Sequence, residues 1–271
     1  MAASSTRQPA VAGQFYPARA EALRHDIDKY VVSDAEKVRA LGAVIPHAGY
    51  MYSGHVAGAV YARLELPQRF VILCPNHTGR GEPLAIMSDG GWTTPLGIAE
   101  IDHQLSSELK KTFPLIKEDE EAHLSEHALE VQIPFLQVLR PDFRFVPIAV
   151  GTGQFEVLTA LGVSIARVLK DVAADAMVIA SSDMNHYESD AATRVKDKRA
   201  IDQVLSLDAR GLYDTVQTHN ISMCGYGPTV AMITAAKLLG AHEAELVKYA
   251  TSGDVSGDRD WVVGYAGMLV R

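Results

Sequence analysis

Short apolar runs rich in valine and isoleucine alternate along the chain with segments of helical pattern. The four clearest runs are at 41–46, 69–75, 143–150 and 176–182. Their apolarity is continuous rather than alternating, which is typical of strands that helices cover on both faces. Helical patterns lie between and after these runs, at 54–65, 102–112, 126–140, 155–170, 190–206 and 228–239.

Two further strand-like runs, at 244–252 and 261–270, follow the last helical pattern. Strands that alternate with helices predict an α/β fold, with a largely parallel or mixed central sheet covered by helices. No long linker rich in proline, serine or glycine divides the chain, and no repeat or low-complexity tract interrupts it. A length of 271 residues suits one such domain, so we predict a single domain over residues 1–271.

Charge and hydropathy limit the classes of partner. The chain carries 25 basic and 33 acidic residues, which gives a net charge of −8 with neutral histidine. This surplus of negative charge opposes binding to nucleic acid phosphates. No apolar run approaches the roughly 18 to 20 residues that a membrane-spanning helix needs. We therefore predict neither nucleic acid nor a membrane as a partner.

The cysteine content and the first residues indicate the compartment. Cys74 and Cys224 are the two cysteines, too few for a disulfide framework in a chain of this length. The N-terminal residues contain an early arginine but no apolar stretch typical of a secretory signal. The sequence therefore predicts a cytoplasmic protein with two free thiols.

Polar side chains of catalytic types directly follow three of the apolar runs. His47 follows AVIP, His77 follows VILCPN, and Asp183 and His186 follow VIASS. Ligands of open α/β sheets bind beyond the carboxyl ends of the strands, so these four side chains are expected to converge. A lone loop histidine is more often a turn or capping residue, and Asp183 could cap the next helix. The coincidence at three strand ends favours a shared site.

His47 and His77 share a local pattern. In each segment, PHAG and PNHTG, a run ends at proline and a histidine is presented on a turn that a glycine allows to bend. Two neutral imidazoles held in this way suit a divalent transition metal. Asp183 and His186 are three residues apart, close enough for the carboxylate to orient the imidazole or for both to face one cavity.

Cys224 lies just before the helical pattern at 228–239, and Pro228 suits the first turn of that helix. A thiol at the positive end of a helix ionises more readily, as a metal ligand or a nucleophile must. Cys74, inside an apolar run, is interpreted instead as a small buried hydrophobic residue. A metal-free alternative uses Cys224 as nucleophile, with His186 as its base and Asp183 orienting that base.

The segment EHALEVQIPFLQ places Glu126, His127 and Glu130 on part of one predicted helix face. A di-iron carboxylate site needs paired Glu-x-x-His motifs, and here the order is reversed and single. We therefore expect these residues to hold the metal-binding side chains in place rather than to bind a metal themselves. Tyr50 and Tyr52, close to His47, could line the pocket or pack in the core.

Six segments together, in their order along the chain, resemble the Memo family of archaea, bacteria and eukaryotes. They are PHAGYMYSGHVAGAVY, CPNHTG, EHALEVQIPFLQ, SSDMNH, MCGYGP and GYAGMLV. The resemblance spans nearly the whole chain, and it implies a fold similar to that of class III extradiol dioxygenases. This agrees with the α/β pattern derived from the residues.

The resemblance also implies roles for particular residues. The family's metal pocket matches His47, His77 and Cys224, with Asp183 and His186 nearby. His186 corresponds to the dioxygenase base, so the resemblance implies catalytic roles for His186 and Asp183. Iron (Fe²⁺) is the implied metal; copper and zinc also fit such ligands.

One departure from the dioxygenases bears on activity. Those enzymes bind Fe(II) through two histidines and a carboxylate, whereas the third position here is Cys224, a softer ligand that can itself be oxidised. One hypothesis is therefore a non-haem iron enzyme with redox or dioxygenase-like activity on a small molecule. The other is a non-enzymatic module that binds a peptide or partner proteins. Its expected partners are a radical SAM enzyme and an AMMECR-type protein, beside which microbial relatives are often encoded in the AmmeMemoRadiSam system.

Overall fold

The secondary structure follows the alternation expected from the apolar runs. The computed structural model describes residues 6–32, 34 and 36–271. Its helices are α1 (Ala20–Tyr30), α2 (Tyr50–Ala62), α3 (His103–Thr112), α4 (Glu121–Leu124), α5 (Ile133–Leu139), α6 (Phe155–Val172), α7 (Asp190–Leu205), α8 (Ala209–Thr218), α9 (Tyr226–Leu239) and α10 (Gly253–Ser256). Its strands are β1 (Thr6–Arg7), β2 (Gly42–Ile45), β3 (Arg69–Pro75), β4 (Leu84–Ile86), β5 (Gly91–Thr94), β6 (Gly97–Ile101), β7 (Lys117–Glu118), β8 (Arg144–Val150), β9 (Met177–Ser181), β10 (His186–Glu188), β11 (Ala244–Thr251) and β12 (Val262–Val270).

The twelve strands of the described residues form one mixed sheet, nine of them in the order β1-β5-β6-β8-β3-β9-β2-β12-β10. Of the other three, β4 pairs with β8 and β7, and β11 pairs with β12. Its centre is parallel, because β8, β3, β9 and β2 pair with one another in the same direction. Strand β12 runs antiparallel to β2 and also pairs with β11 and β10. Parallel strands place their carboxyl ends at one edge, so the segments that follow β2, β3 and β9 start side by side. The predicted α/β class with a mixed central sheet is confirmed.

Helices cover both faces of the sheet, and the central strands β2, β3, β8 and β9 are buried on both sides. In β3, Val71 and Leu73 belong to a core shared with α3, α6, α7, α8 and α9, whereas Phe70 and Ile72 belong to a core shared with α1, α2 and α5. Each of these side chains is fully buried. Burial of such a side chain contributes about 1.5 to 3 kcal/mol, which explains the continuous apolar pattern of the central strands.

Helices α6 and α9 pack closely against each other. Helix α6 presents Leu158, Leu161 and Ile165 to the core at helical spacing. A Cβ atom added at Gly162 would lie 2.4 Å from the carbonyl oxygen of Ala231, so glycine allows this close approach. Among the helices of the described residues, none is both long and apolar enough to cross a membrane.

Several element boundaries differ from the predicted ones. Helix α2 begins at Tyr50, four residues before the predicted 54–65 segment, and its N-cap is Gly49. The predicted helix at 126–140 is wrong in its first part: a 3₁₀ turn covers Glu130–Gln132, and α5 follows with Pro134 in its first turn. Proline has no amide hydrogen and suits a first turn, so a new helix begins there rather than continuing from residue 126. The sequence pattern does not predict helices α1, α4, α8 and α10 or the short strands β1, β4 to β7 and β10.

Candidate metal centre

Three side chains that could bind a metal meet at the carboxyl edge of the sheet. His47 follows β2, His77 follows β3, and Cys224 precedes α9. One nitrogen of each histidine and the thiol Sγ all lie within 4.8 Å of one another. The Nε2 atom of His47 is 3.2 Å from Sγ of Cys224. The structure thus brings together the three residues that the sequence predicted as metal ligands.

The ring of His47 is oriented by the hydroxyl of Ser181, the last residue of β9. His47 Nδ1 is 3.1 Å from Ser181 Oγ, and this hydroxyl donates its proton to the carbonyl of Ala128 at 2.6 Å. A serine hydroxyl has one proton, so it must accept from His47, whose Nδ1 therefore carries the hydrogen. Nε2 is left with a free lone pair. Burial, and then the neighbouring His127 and His77, lower the pKa of His47 and keep it neutral.

The ring of His77 is oriented by Glu126. The Glu126 carboxylate accepts from the His77 amide at 2.6 Å and faces ring Nδ1 at 2.9 Å. Burial lowers the pKa of His77, but the hydrogen bond and charge of Glu126 outweigh it and raise the pKa overall. An ionised carboxylate only accepts, so Nδ1 carries a hydrogen and Nε2 is the nitrogen left for a metal. This is the supporting role expected for Glu126.

His186, in β10, is oriented in a third way. Its Nδ1 is 2.9 Å from the carbonyl oxygen of Ser222, and its amide donates to Ser222 Oγ at 2.8 Å. Because a carbonyl oxygen cannot donate, Nδ1 carries the hydrogen and Nε2 is free to accept a proton. Burial lowers the pKa of His186, which keeps the ring neutral. These properties suit a general base.

Asp183 is buried and fixes the turn that carries His47. Its Oδ1 accepts from the His47 amide at 2.7 Å, and its Oδ2 is 4.0 Å from His47 Nε2. Burial raises the pKa of Asp183 to about 7, although hydrogen bonds from the amides of His47 and Ala48 oppose the shift. Through this hydrogen bond Asp183 holds the backbone of the His47 turn.

Cys224 lies close to His47 and His77 because the next residue, Gly225, allows its loop to pack against the end of β9. A Cβ atom at Gly225 would lie 2.4 Å from the carbonyl oxygen of Ser181, so only glycine lets this loop approach β9. The expectation that the thiol at this helix end ionises more readily is wrong for the metal-free chain, because the lowering effect of the Gly225 amide is outweighed. Burial, and then the nearby Asp183 carboxyl, raise the pKa of Cys224 well above its ordinary value. The free thiol is therefore neutral, which disfavours the metal-free nucleophile alternative.

A cavity of about 620 Å³ opens beside these residues. Besides the ligand candidates, Asp183 and His186, its walls include Gln14, Phe15, Tyr52, His127, Tyr187, Val263 and Tyr265. Tyr52 thus lines the cavity, whereas Tyr50 is buried and donates from its hydroxyl to the carbonyl of Val131 at 2.7 Å.

His127 is a site residue whose place the sequence did not reveal. Its ring stacks on that of His77, with centroids 4.9 Å apart, and lies 5.4 Å from that of His47. His77, Glu126 and His127 form a second group close enough to hold a metal. The Glu126 oxygens are already engaged by His77 and by the amide of Ala128, so this second group is the poorer one.

The chain is similar to known proteins over nearly its whole length. The sequence pattern described as "Memo-like protein" matches residues 7–269. The chain belongs to the Memo family. A MEMO1 family protein of Methanosarcina mazei is 45% identical over 267 residues, covering 98% of this chain and 99% of the relative. A MEMO1 family protein of Aquifex aeolicus is 43% identical over 265 residues, covering 97% and 98%.

A solved structure shows the same fold at low sequence identity. It is titled "Crystal structure of uncharacterized protein JW3007 from Escherichia coli K12" and matches with a TM-score of 0.60 and 13% identity. The match covers 85% of this chain and 100% of that chain. This Memo family chain therefore shares its α/β architecture with a distant protein, and its chemistry must be argued from its own residues.

Proposed function

We propose that this Memo family protein binds one iron ion through His47, His77 and Cys224. The observation that carries the proposal is the orientation of the two rings: each donates from Nδ1 to a fixed acceptor, which leaves both Nε2 lone pairs for a metal. Such outer hydrogen bonds are typical of metal-binding histidines. At metal–ligand bond lengths of about 2.1 Å to nitrogen and about 2.3 Å to sulfur, Nε2 and Sγ 3.2 Å apart can bind the same ion.

The donor set fits a transition metal rather than calcium or magnesium. Two imidazole nitrogens and a thiolate are borderline to soft ligands, which suit iron, copper and zinc. Because the Cys224 thiol is neutral without a metal, binding must release its proton. We favour iron because of the resemblance to extradiol dioxygenases. Copper and zinc are the alternatives, and a measurement of metal content distinguishes them from iron.

The proposed activity is redox or dioxygenase-like chemistry on a small molecule. Its site is the cavity of about 620 Å³ beside the candidate ligands, which we call the main cavity. A bound iron ion would supply Lewis acidity and redox chemistry at this position. His186 accepts a proton from the substrate at its free Nε2, and the Ser222 carbonyl stabilises the resulting imidazolium through Nδ1. Asp183 keeps the His47 turn in place.

The first test is metal content after anaerobic purification. We expect near-stoichiometric iron in the wild type and its loss in His47→Ala and Cys224→Ser. His242→Ala and Cys74→Ala are matched controls, because His242 is exposed and Cys74 packs in the core. Zinc or copper in place of iron would contradict the metal assignment. No bound metal, even after reconstitution, would overturn the proposal as a whole.

We also propose a cytoplasmic location. Cys74 and Cys224 are both free thiols, which is consistent with a reducing cytoplasm.

The second candidate function is an accessory role. A radical SAM enzyme and an AMMECR-type protein are the partners that the family resemblance implies. Co-purification with them that survives His47→Ala would favour the accessory role over the enzyme.

A further inference from the structure

A second cavity lies at the carboxyl edge of the sheet, on another side of the candidate ligands. Its volume is about 280 Å³. It shares only His77 and Cys224 with the lining of the main cavity. Its remaining walls are Pro75, Asn76, Val150, Gly151, Thr152, Gly153, Tyr226, Gly227 and Pro228. His77 and Cys224 therefore line both cavities.

The sizes of the two cavities suit different occupants. Pockets for organic ligands measure about 300–1,000 Å³; the main cavity lies well within this range, whereas the second one lies at its lower limit. At about 30 Å³ for each water molecule, the second cavity has room for only about nine waters. It therefore fits a molecule of about nine non-hydrogen atoms or fewer.

The walls of the second cavity favour an uncharged occupant. No lysine, arginine, aspartate or glutamate of the described residues lines it. Several of its polar groups are already paired. The Gly151 backbone amide donates to the Pro83 carbonyl, the Gly153 carbonyl accepts from the Tyr213 hydroxyl, and the side-chain Nδ2 of Asn76 donates to the Arg80 carbonyl. The His77 ring also lines the cavity, but Glu126 already pairs with it at 2.9 Å, so an ion there would lose hydration without a free counter-charge, which is costly.

We propose that the second cavity is a separate entrance through which a small uncharged molecule reaches the His77–Cys224 pair while an organic molecule occupies the main cavity. The inference deepens the proposed function and rests on it for the reaction at that pair. Access to the Cys224 thiol is measurable without any metal, so the entrance can be tested independently of metal content.

The test measures thiol modification of full-length, metal-free protein in which Cys74→Ala leaves Cys224 as the one thiol. The small uncharged probe is methyl methanethiosulfonate, and the bulky probe is 5,5′-dithiobis(2-nitrobenzoate). Thr152→Trp narrows the second cavity, and Val263→Trp narrows the main one. The small probe can also enter through the main cavity, so Thr152→Trp and the other variants that change the second cavity are compared in the Val263→Trp background. There we expect Thr152→Trp to slow the small probe at least about fivefold. Val263→Trp alone should slow mainly the bulky probe, since thiol reactivity follows access.

Gln154→Trp is the matched control, because Gln154 is exposed and lines neither cavity. Gly151→Ala is a gentler variant, since its added Cβ would lie 3.4 Å or more from its neighbours. It should slow the small probe by a smaller factor even if Thr152→Trp does not fold. An unchanged small-probe rate in both Gly151→Ala and a folded Thr152→Trp would overturn the proposal. So would a Val263→Trp variant that blocks both probes equally, because that result means a single entrance.

Discussion

Glu126 contacts His77 at two points, accepting from its backbone amide at 2.6 Å and facing its ring Nδ1 at 2.9 Å. The carboxylate is fully buried, and it also accepts from the amide of Ala128. One side chain therefore fixes the position of the turn, the direction of the ring and the tautomer that a metal requires.

We predict that Glu126→Gln lowers metal affinity by about 10- to 100-fold, as is usual when the outer partner of a metal-binding histidine is lost. Glutamine has one acceptor oxygen where glutamate has two, so it cannot hold both the amide and Nδ1 of His77. Competition with a chromophoric chelator measures the affinity. Glu121→Gln, at an exposed position, is the control, and equal affinities in the two variants would contradict the role of Glu126.

Ser181→Ala should weaken both metal binding and the fold. Its hydroxyl accepts from His47 and from the Gln132 side chain while donating to Ala128, and all of these groups are buried. Leaving such groups without partners costs about 1 to 3 kcal/mol each. Urea denaturation of the metal-free protein gives the stability, and the chelator titration gives the affinity.

Ser164→Ala is the control for Ser181→Ala. Ser164 is also buried, but its hydroxyl only donates to the carbonyl of Ala160 within α6. Alanine there removes no partner from another element, so the change in unfolding free energy should be small. A loss as large as that of Ser181→Ala would argue against a special role for Ser181.

Arg7→Met is expected to destabilise the protein by about 3 to 5 kcal/mol, because it leaves the Glu130 carboxylate buried without its ion-pair partner. The Arg7–Glu130 bond is 2.7 Å long, and both side chains are almost completely buried. Arg7 also donates to the carbonyl oxygens of His123 and Glu126, so the segment that carries His127 should loosen. Lys111→Met, which breaks an exposed pair with Glu108, should cost below about 1 kcal/mol. Similar losses in the two variants would contradict this prediction.

Asp197 should make the folded state less stable as the pH rises from about 4 to about 7. Burial raises its pKa from 3.8 to about 7, although hydrogen bonds from the Tyr249 hydroxyl and the Asn185 amide oppose the shift. Between these values the native state holds a proton that the unfolded state has released, so a rising pH favours unfolding. The difference corresponds to about 4 kcal/mol at about 1.4 kcal/mol per pKa unit.

The measurement is urea denaturation of wild type and Asp197→Asn across this pH range. Asparagine does not titrate, so its stability curve should fall less with pH than that of the wild type. Asp183, whose pKa burial also raises to about 7, contributes equally to both curves and cancels in the comparison. Parallel curves would show that Asp197 does not titrate in this range.

The central strands could be predicted because each forms a continuous apolar run in the local sequence, which indicates burial on both faces. β2, β3, β8 and β9 start and end close to the predicted residues, since a strand covered on both faces needs an unbroken apolar run. The positions of His47, His77 and Asp183 followed from the parallel direction of these strands. The short strands β4 to β7 depend on tertiary pairing rather than on a pattern of their own, which is why they were missed.

The supporting residues were harder to predict because their roles depend on distant partners. Ser181 completes an apolar run and looks like part of a strand, yet its hydroxyl bonds to a carbonyl 53 residues away. His127 was assigned to a helix face, but the helix starts later, and the irregular segment turns the ring towards His77. The raised pKa of Cys224 reflects burial, which no local pattern revealed.

His47 and Cys224 are 177 residues apart along the chain and 3.2 Å apart in space. Contacts of such high sequence separation form late, since the loop between them must close before the contact stabilises anything. We therefore expect the contact between His47 and Cys224 to form at the end of folding. During refolding, protection of the Cys224 thiol from a fast alkylating pulse should appear only with the final native phase, after the helices have already formed.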